Sequence, residues 1–587
     1  MSSLPVDIHS YGNPGESRVR HVHLDLVVSF KEKKLKGTAT LALEPAGRRL
    51  VLDTRDLTIL QVNGSKEGFR LGPRDPILGS PLEIDLPSGA RSVVIEYETT
   101  PQASGLQWLA PAQTAGKRSP FLFSQSQAIH ARSWIPIQDS PAVRVTFSAR
   151  IQAAAPLTSL MAAVQLAPGR FHMPWPVPPY LIALAVGELQ FRPLGPRTGI
   201  WAEPPVLARA ASEFADMEQM VEAAERLYGP YRWGRYDLIV LPPSFPFGGM
   251  ENANMTFATP TIVVGDKSLA SVISHELAHS WSGNLVTNAT WRDGWLNEGF
   301  TTYVQGRITE AVYGKSLADE EALLSARALE KSIGSMPANA QKLTPDLRGV
   351  DADDALSSVA YDKGSWFLRT LEQRFGRADF DAYLRSYFDH FAFQSITTEQ
   401  MLAYMKPNLI DKYPGKMRWA EVQDWVYGTG IPKDAPLPDS PRFDEIDRER
   451  AAFLGDRLSA DKLDAKGWNT QEWMYFLDRL PDVTALTKIK TLDAAWHLTG
   501  TPNAEIGMRW YVHAIAAGDK DVWPAAAEHM TRIGRLYLTL PLYKAFAKTP
   551  EGLAYAKQVY AKAKAGYHPL TQQAVEGILA KASAAKK

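Results

Sequence analysis

Apolar residues occupy every second position in the first part of the chain. In VRHVHLDLVVSF, Val22, Leu24, Leu26, Val28 and Phe30 alternate with His23, Asp25 and Ser29, the period of a strand with one buried face. GTATLALE and SVVIEYET repeat the pattern, with Gly and Pro between the repeats. Residues 1–195 are therefore expected to form a β-rich domain. His21 and His23 read as surface positions of the first strand, since nothing nearby in sequence completes a ligand set.

The period then changes. ASEFADMEQMVEAAERLYG spaces its apolar residues three and four apart and stops at Gly229, as an amphipathic helix does. One strand, YDLIVLP, intervenes before helical spacing resumes, so 196–431 reads as a mostly helical domain. Pro432, Pro436, Pro438 and Pro441 follow within GTGIPKDAPLPDSPRF. Proline at this density stiffens a connection and marks 432–445 as a linker. Beyond it, Asn469 with Glu472 has capping-box spacing before WMYFL. Thr549–Pro550 opens a helix that Gly566 can end. No repeat of fixed period emerges, and 446–587 reads as an all-α array. The fold class is multidomain α+β.

At 587 residues the chain is too long for one core; a prior of about 150 residues per domain gives roughly three to four units. The formal net charge is zero, so no bulk field draws the chain to nucleic acid or to an anionic membrane. There are no cysteines, so any metal must be held by His, Asp or Glu. The first twenty residues lack the charged start and apolar core of a signal peptide. No apolar run approaches the ~20 residues needed to span a bilayer. The expectation is a soluble, cytoplasmic monomer with no nucleic-acid or membrane partner.

The chemistry is concentrated in SHELAHSWSGNLVTNATWRDGWLNEGF, residues 274–300. His275, Glu276 and His279 form H-E-x-x-H. On a helix, residues four apart share a face, so both imidazoles can reach one cation. Glu276 beside them is placed to take a proton from a water in an open coordination position. Eighteen residues separate His279 from Glu298, room for the first helix to end near Gly283 and a second, GWLNEGFTTYVQGR, to return. Two histidines and one carboxylate leave the fourth position of a tetrahedral Zn2+ open, the donor set of a catalytic site. Cobalt or manganese could use the same donors. The plain alternative is a packed helix pair that happens to contain histidines.

Upstream, Gly248, Gly249, Met250, Glu251 and Asn252 in PPSFPFGGMENANMTF match the G-x-M-E-N signature of zinc aminopeptidases. FSQSQAIHARSWIPIQDSP, VLDTRDLTI, SWSGNLVTNATW, LYLTLPLYKAF and AGYHPLT add to the match across all three regions. The chain resembles the leukotriene-A4-hydrolase family, gluzincin aminopeptidases that also hydrolyse an epoxide. The resemblance implies a thermolysin-like catalytic domain holding one zinc per chain, and short peptides with a free N-terminus as substrates. It implies that Glu251, with Gln125 and Gln127, holds the substrate amine, and that Gly248, Gly249 and Met250 approach the peptide backbone. By the same likeness Glu276 is the proton carrier and Tyr361 in SSVAYDKG the oxyanion donor. Asp353 lines the deep pocket, where it can favour a basic side chain, and Arg535 in GRLYLTLPL receives the substrate carboxylate.

The chain departs from the family at four places. Tyr537 stands where a lysine assists the arginine, Leu356 and Phe247 replace tyrosines, and Gly294 replaces a phenylalanine that narrows the pocket. The peptide-hydrolysing set is intact and the pocket is reshaped, which favours an aminopeptidase over a lipid-epoxide hydrolase. Noncatalytic peptide-binding scaffolds and endopeptidases are the remaining alternatives. A complete catalytic set speaks against the first. Glu251 and the glutamines, which would close one end of the groove, speak against the second.

Overall fold

The computed structural model describes residues 4–584. Strand Val19–Ser29 lies at the centre of a seven-stranded sheet. It pairs in parallel with Val145–Gln152 and antiparallel with Lys34–Leu43. Its alternation places Val22, Leu24, Leu26 and Val28 in the core. On the other face, His21 hydrogen-bonds Thr146 and Ser148, and His23 hydrogen-bonds Ser148. A four-stranded sheet carries Phe121–Ser124, buried throughout. It delivers the next residues, Gln125 to Gln127, to buried positions against Met250 and Glu251.

The catalytic unit is built on a five-stranded sheet ordered Gln190–Pro193, Thr198–Ala202, Tyr236–Val240, Met255–Ala258, Gly249–Met250. Tyr236–Val240 pairs in parallel on both sides and is buried along its length, as expected of a central strand covered on both faces. Gln190–Pro193 pairs with Thr198–Ala202. This pairing puts the strand on the catalytic side of the boundary expected at 195. Gly249–Met250 is the edge strand, so one side of it is unpaired within the sheet.

The β-rich and catalytic units share one continuous apolar core, while Phe443 to Leu579 pack a second around residues such as Trp510, Tyr543 and Phe546. Helices dominate this last unit. Asn469 Oδ1 accepts from Glu472 N at 2.8 Å and Glu472 Oε2 accepts from Asn469 N at 2.7 Å, closing the capping box. Thr549 Oγ accepts from Gly552 N at 3.0 Å to start Pro550–Ala563. The stretch 432–445 differs from a pure linker. Ser440 caps a helix, Pro441–Leu454, whose first residue is a proline; that position needs no N–H, so proline opens the helix there. Among the described residues no helix is long and apolar enough to cross a membrane.

Candidate metal centre and active site

Two helices bring the metal donors together. His275 lies in the last turn of Ser271–Ala278, and His279 is the residue that ends it. This helix stops sooner than the glycine at 283 suggested, but His279 N still bonds His275 O at 3.2 Å, so the two rings stay on one face. Glu298 is in the first turn of Trp295–Tyr313, the helix packed against it.

The three donor atoms form a compact triangle. His275 Nε2 and His279 Nε2 are 3.2 Å apart; Glu298 Oε2 is 3.4 Å from the first and 3.5 Å from the second. Zinc bonds of about 2.0–2.1 Å at tetrahedral angles require edges of about 3.3 Å. Glu298 Oε2 is buried without a hydrogen-bond partner, which a coordinated cation would correct. Each ring is oriented from its far side: His275 Nδ1 by Gln305 Oε1 at 2.9 Å, His279 Nδ1 by the Ser282 carbonyl at 3.0 Å. Each Nδ1 therefore carries the proton and each Nε2 presents a lone pair. The residues fit zinc.

Beside this triangle lie two further carboxylates. Glu251, Glu276 and His279 offer atoms within 4.8 Å of one another. Burial, then the Glu298 charge, pushes Glu276 up to about 8. Burial, Glu298 and Glu276 hold Glu251 well above the carboxylate range. Buried like charges have this effect on each other, and it creates a strong demand for cations, metal and ammonium alike. Burial lowers His279 to about 4.

The edge strand fits round Glu276. A Cβ on Gly249 would lie 2.3 Å from Glu276 Oε1, so no larger residue can occupy this position while Glu276 holds its place. A second close approach sets Tyr361: a Cβ on Gly299 would lie 2.8 Å from Gly364 Cα and 2.9 Å from Ala360 O. These glycines let the π-helical turn Val359–Lys363 press against the helix of Glu298. The Tyr361 ring stacks on His275 with centroids 6.0 Å apart, and its hydroxyl faces Glu298. Burial first, then Glu298, keeps that hydroxyl protonated far above its ordinary range.

Gln127 Nε2 donates to Glu251 Oε1 at 3.0 Å, and Asn297 Nδ2 reaches the same oxygen at 3.4 Å. Gln125 donates to Met250 Sδ at 3.1 Å, and its Oε1 is buried without a partner. Neither glutamine is an exposed strand residue. Asp353 Oδ1 accepts from Ala128 N, and Oδ2 from His130 Nε2, both at 3.0 Å. Burial works to raise this carboxyl, but its contacts with His130 and Ala128 N outweigh it and keep it below its ordinary value. Leu356 packs 3.3 Å from where a Cβ of Gly294 would lie, so an aliphatic side chain fills the space beside this glycine.

Arg535 arrives from the C-terminal unit. Gly534 N bonds Pro243 O and Leu536 N bonds Pro246 O, at 2.8 and 2.9 Å, which pins the loop beside the edge strand. Its Nη2 would be 3.0 Å from a Cβ on Gly248. Glu505 Oε1 accepts from Nη1 at 3.0 Å, while Nε is buried without a partner. Tyr537 lies beneath two guanidinium groups, those of Arg535 at 5.4 Å and Arg509 at 5.8 Å.

Sequence reasoning missed His130, Asn297 and Gln305. Only Gln305 carried a readable signal, since it stands two helical turns after Glu298 on the same face.

Three family models match the chain: the peptidase M1 N-terminal domain over residues 18–165, the peptidase family M1 domain over 213–414 and the leukotriene A4 hydrolase C-terminal domain over 468–579. A leukotriene A-4 hydrolase of Xenopus laevis is 38% identical over 97% of this chain and 98% of its own length. A leucine aminopeptidase 2 of Yarrowia lipolytica is 40% identical over 94% of this chain and 90% of its own. Among solved structures, yeast LTA4 hydrolase in complex with bestatin superposes with a TM-score of 0.92 at 32% identity, covering 99% of this chain and 98% of the other. An M1 zinc metallopeptidase of Deinococcus radiodurans gives 0.57 at 25% identity, covering 73% of this chain and 96% of the other.

Proposed function

The chain belongs to the M1 peptidase family, in the branch with the leukotriene A4 hydrolase C-terminal domain, and is a zinc-dependent aminopeptidase; from that premise we propose which residues do which part of the work. His275, His279 and Glu298 hold the zinc. When bound, zinc polarises the scissile carbonyl and makes a water acidic enough to attack at neutral pH.

The remaining tasks fall to the protein. The unpaired side of Gly249–Met250, with Gly248 before it, accepts the peptide as an added strand. The Glu251 oxygen that Gln127 and Asn297 leave free and the free Gln125 Oε1 take the α-ammonium, and Gln127 holds Glu251 in position. Glu276, pressed against Gly249, takes a proton from the attacking water and returns it to the leaving nitrogen. The protonated Tyr361 hydroxyl donates to the oxygen on which charge develops. Arg535 offers its unpartnered Nε to the far carboxylate of a short peptide. Asp353, ionised at the end of the pocket, pairs with a basic first side chain. Residues 1–189, 190–431 and 441–587 are the three units that carry these parts, and the chain acts as a cytoplasmic monomer.

One observation carries the exopeptidase reading. An amine-binding carboxylate lies within 4.8 Å of a zinc-binding imidazole and of the proton carrier, a gap that leaves room for one residue before the scissile bond. Glu251→Gln keeps the shape and removes the charge. Charge-assisted hydrogen bonds contribute about 1.5–3 kcal/mol, so KM should rise roughly 10- to 100-fold with zinc content unchanged. Steady-state kinetics on an unblocked tripeptide measures this; an unchanged KM would remove Glu251 as the anchor.

A further inference from the structure

The Nδ1 side of His275 leads to buried polar groups with no part in the chemistry above. Gln305 Oε1 accepts from Nδ1 at 2.9 Å. Gln305 also faces Glu321, on the following helix, Lys315–Ile333. Glu321 Oε1 accepts from Gln471 Nε2 at 3.1 Å, and the same nitrogen donates to the Ser268 carbonyl at 2.6 Å. Gln471 stands in the first turn of Thr470–Asp478, in the C-terminal unit. Ser268 precedes the helix that carries both histidines, and Ser271, the first residue of that helix, faces Glu321 as well.

The donors and acceptors run in one direction. With His275 Nε2 turned to the metal, Nδ1 is the donor, so Gln305 presents its oxygen to the ring and its NH2 to Glu321. The Glu321 carboxylate only accepts, and Gln471 donates to it from the other side. A cavity of about 70 Å3 lined by Gln305, Glu321, Thr302, Ser325 and Asp362 adjoins the chain of bonds. Glu321 Oε2 and Thr302 Oγ are buried there without protein partners. The groups are thus held by few bonds, each of which matters to the next.

We propose that Gln305, Glu321 and Gln471 are positioning residues, a relay formed by a line of polar groups in which Gln305 and Glu321 face one another in the same cavity and through which the C-terminal unit fixes the ring of His275 and sets the zinc affinity of the catalytic unit. The proposal rests on His275 being a zinc ligand. A metal-bound histidine whose outer partner is lost typically binds zinc about 10- to 100-fold more weakly, and loss further along the relay transmits a smaller part of this.

The test uses the full chain. Zinc affinity is measured by competition with a chromophoric chelator, the visible spectrum is recorded after Co2+ substitution, and unfolding of the metal-free protein is followed in parallel. Gln305→Leu and Glu321→Leu should each weaken zinc binding by about 10-fold or more, and Gln471→Leu by about 3- to 10-fold, all shifting the Co2+ bands in the same direction. The double variant Gln305→Glu/Glu321→Gln keeps an acceptor toward His275 Nδ1 and an acceptor toward Gln471, reverses only the donor between positions 305 and 321 and moves the charge one place nearer the ring, and should bind zinc at least as tightly as the parent. Thr470→Val removes another short interdomain bond, to Ser268 Oγ at 2.6 Å, but lies outside the relay and should change neither readout.

Parental affinity and spectrum in Glu321→Leu and Gln471→Leu would overturn the relay. So would an equal loss in Thr470→Val, which would mark general loosening of the interface. If the leucine variants do not fold, the double variant decides, and a 10-fold loss in it overturns the proposal. His275→Ala separates the two levels: parental zinc binding in that variant would overturn the ligand assignment itself, not the relay alone.

Discussion

Glu276→Gln is expected to lower kcat by about 10²- to 10⁴-fold, the usual contribution of a positioned general base, with KM and zinc content close to those of the parent. The amide has the volume of the carboxylate, so the place against Gly249, where no Cβ fits, stays filled and the edge strand keeps its position. What it lacks is an oxygen able to take a proton. Glu276 is not among the three donors of the metal triangle, so zinc should remain. Kinetics with metal analysis of the same sample checks both halves. A variant with parental kcat would place the proton carrier elsewhere, and one that had lost its zinc would make Glu276 a ligand.

Glu298→Ala should act on the metal itself. Oε2 lies 3.4 Å and 3.5 Å from the two imidazole nitrogens, and without it two rings remain. A protein zinc site supplies about 10–16 kcal/mol, so losing one of three ligands is expected to weaken binding on the order of 10³-fold. Activity at micromolar zinc should fall to background. Stability should change in a characteristic way: a ligand at about 1,000 times its Kd stabilises the native state by about 4 kcal/mol, so the parent's Tm rises with added zinc while the variant's stays flat over the same range. Differential scanning calorimetry against zinc concentration shows it. A variant whose Tm tracks zinc as the parent's does would remove Glu298 from the ligand set.

Much of the metal triangle was legible in the sequence because it rests on local periodicity. The spacing of His275 and His279 fixes their common face on any helix, and the pattern around Trp295 announces the helix that returns Glu298. The strand at Val22 to Val28 was legible for the same reason, as was the Asn469 cap. Relations between distant segments were not. Asp353 and His130 meet across more than two hundred residues, and Gln471 meets Glu321 from another domain; each is an ordinary polar residue in its own neighbourhood. The helix at Pro441 was hidden by the prolines round it, although Ser440 followed by Pro441 is a sound start signal. Gln190–Pro193 falls in the β-rich part expected from the alternation upstream. Its sheet is decided by pairing with Thr198–Ala202, a tertiary fact that strand propensity does not contain.

The most direct test of the account compares Arg-Ala-Ala with N-acetyl-Arg-Ala-Ala, using enzyme of assayed zinc content. Both peptides present the same scissile bond, the same basic side chain and the same carboxylate to Asp353, Arg535 and the zinc. They differ in the ammonium that Glu251 and Gln125 are proposed to hold. The account predicts release of free arginine from the unblocked peptide and no cleavage of the acetylated one. Equal cleavage of both would contradict it, because the amine would then play no part in placing the bond.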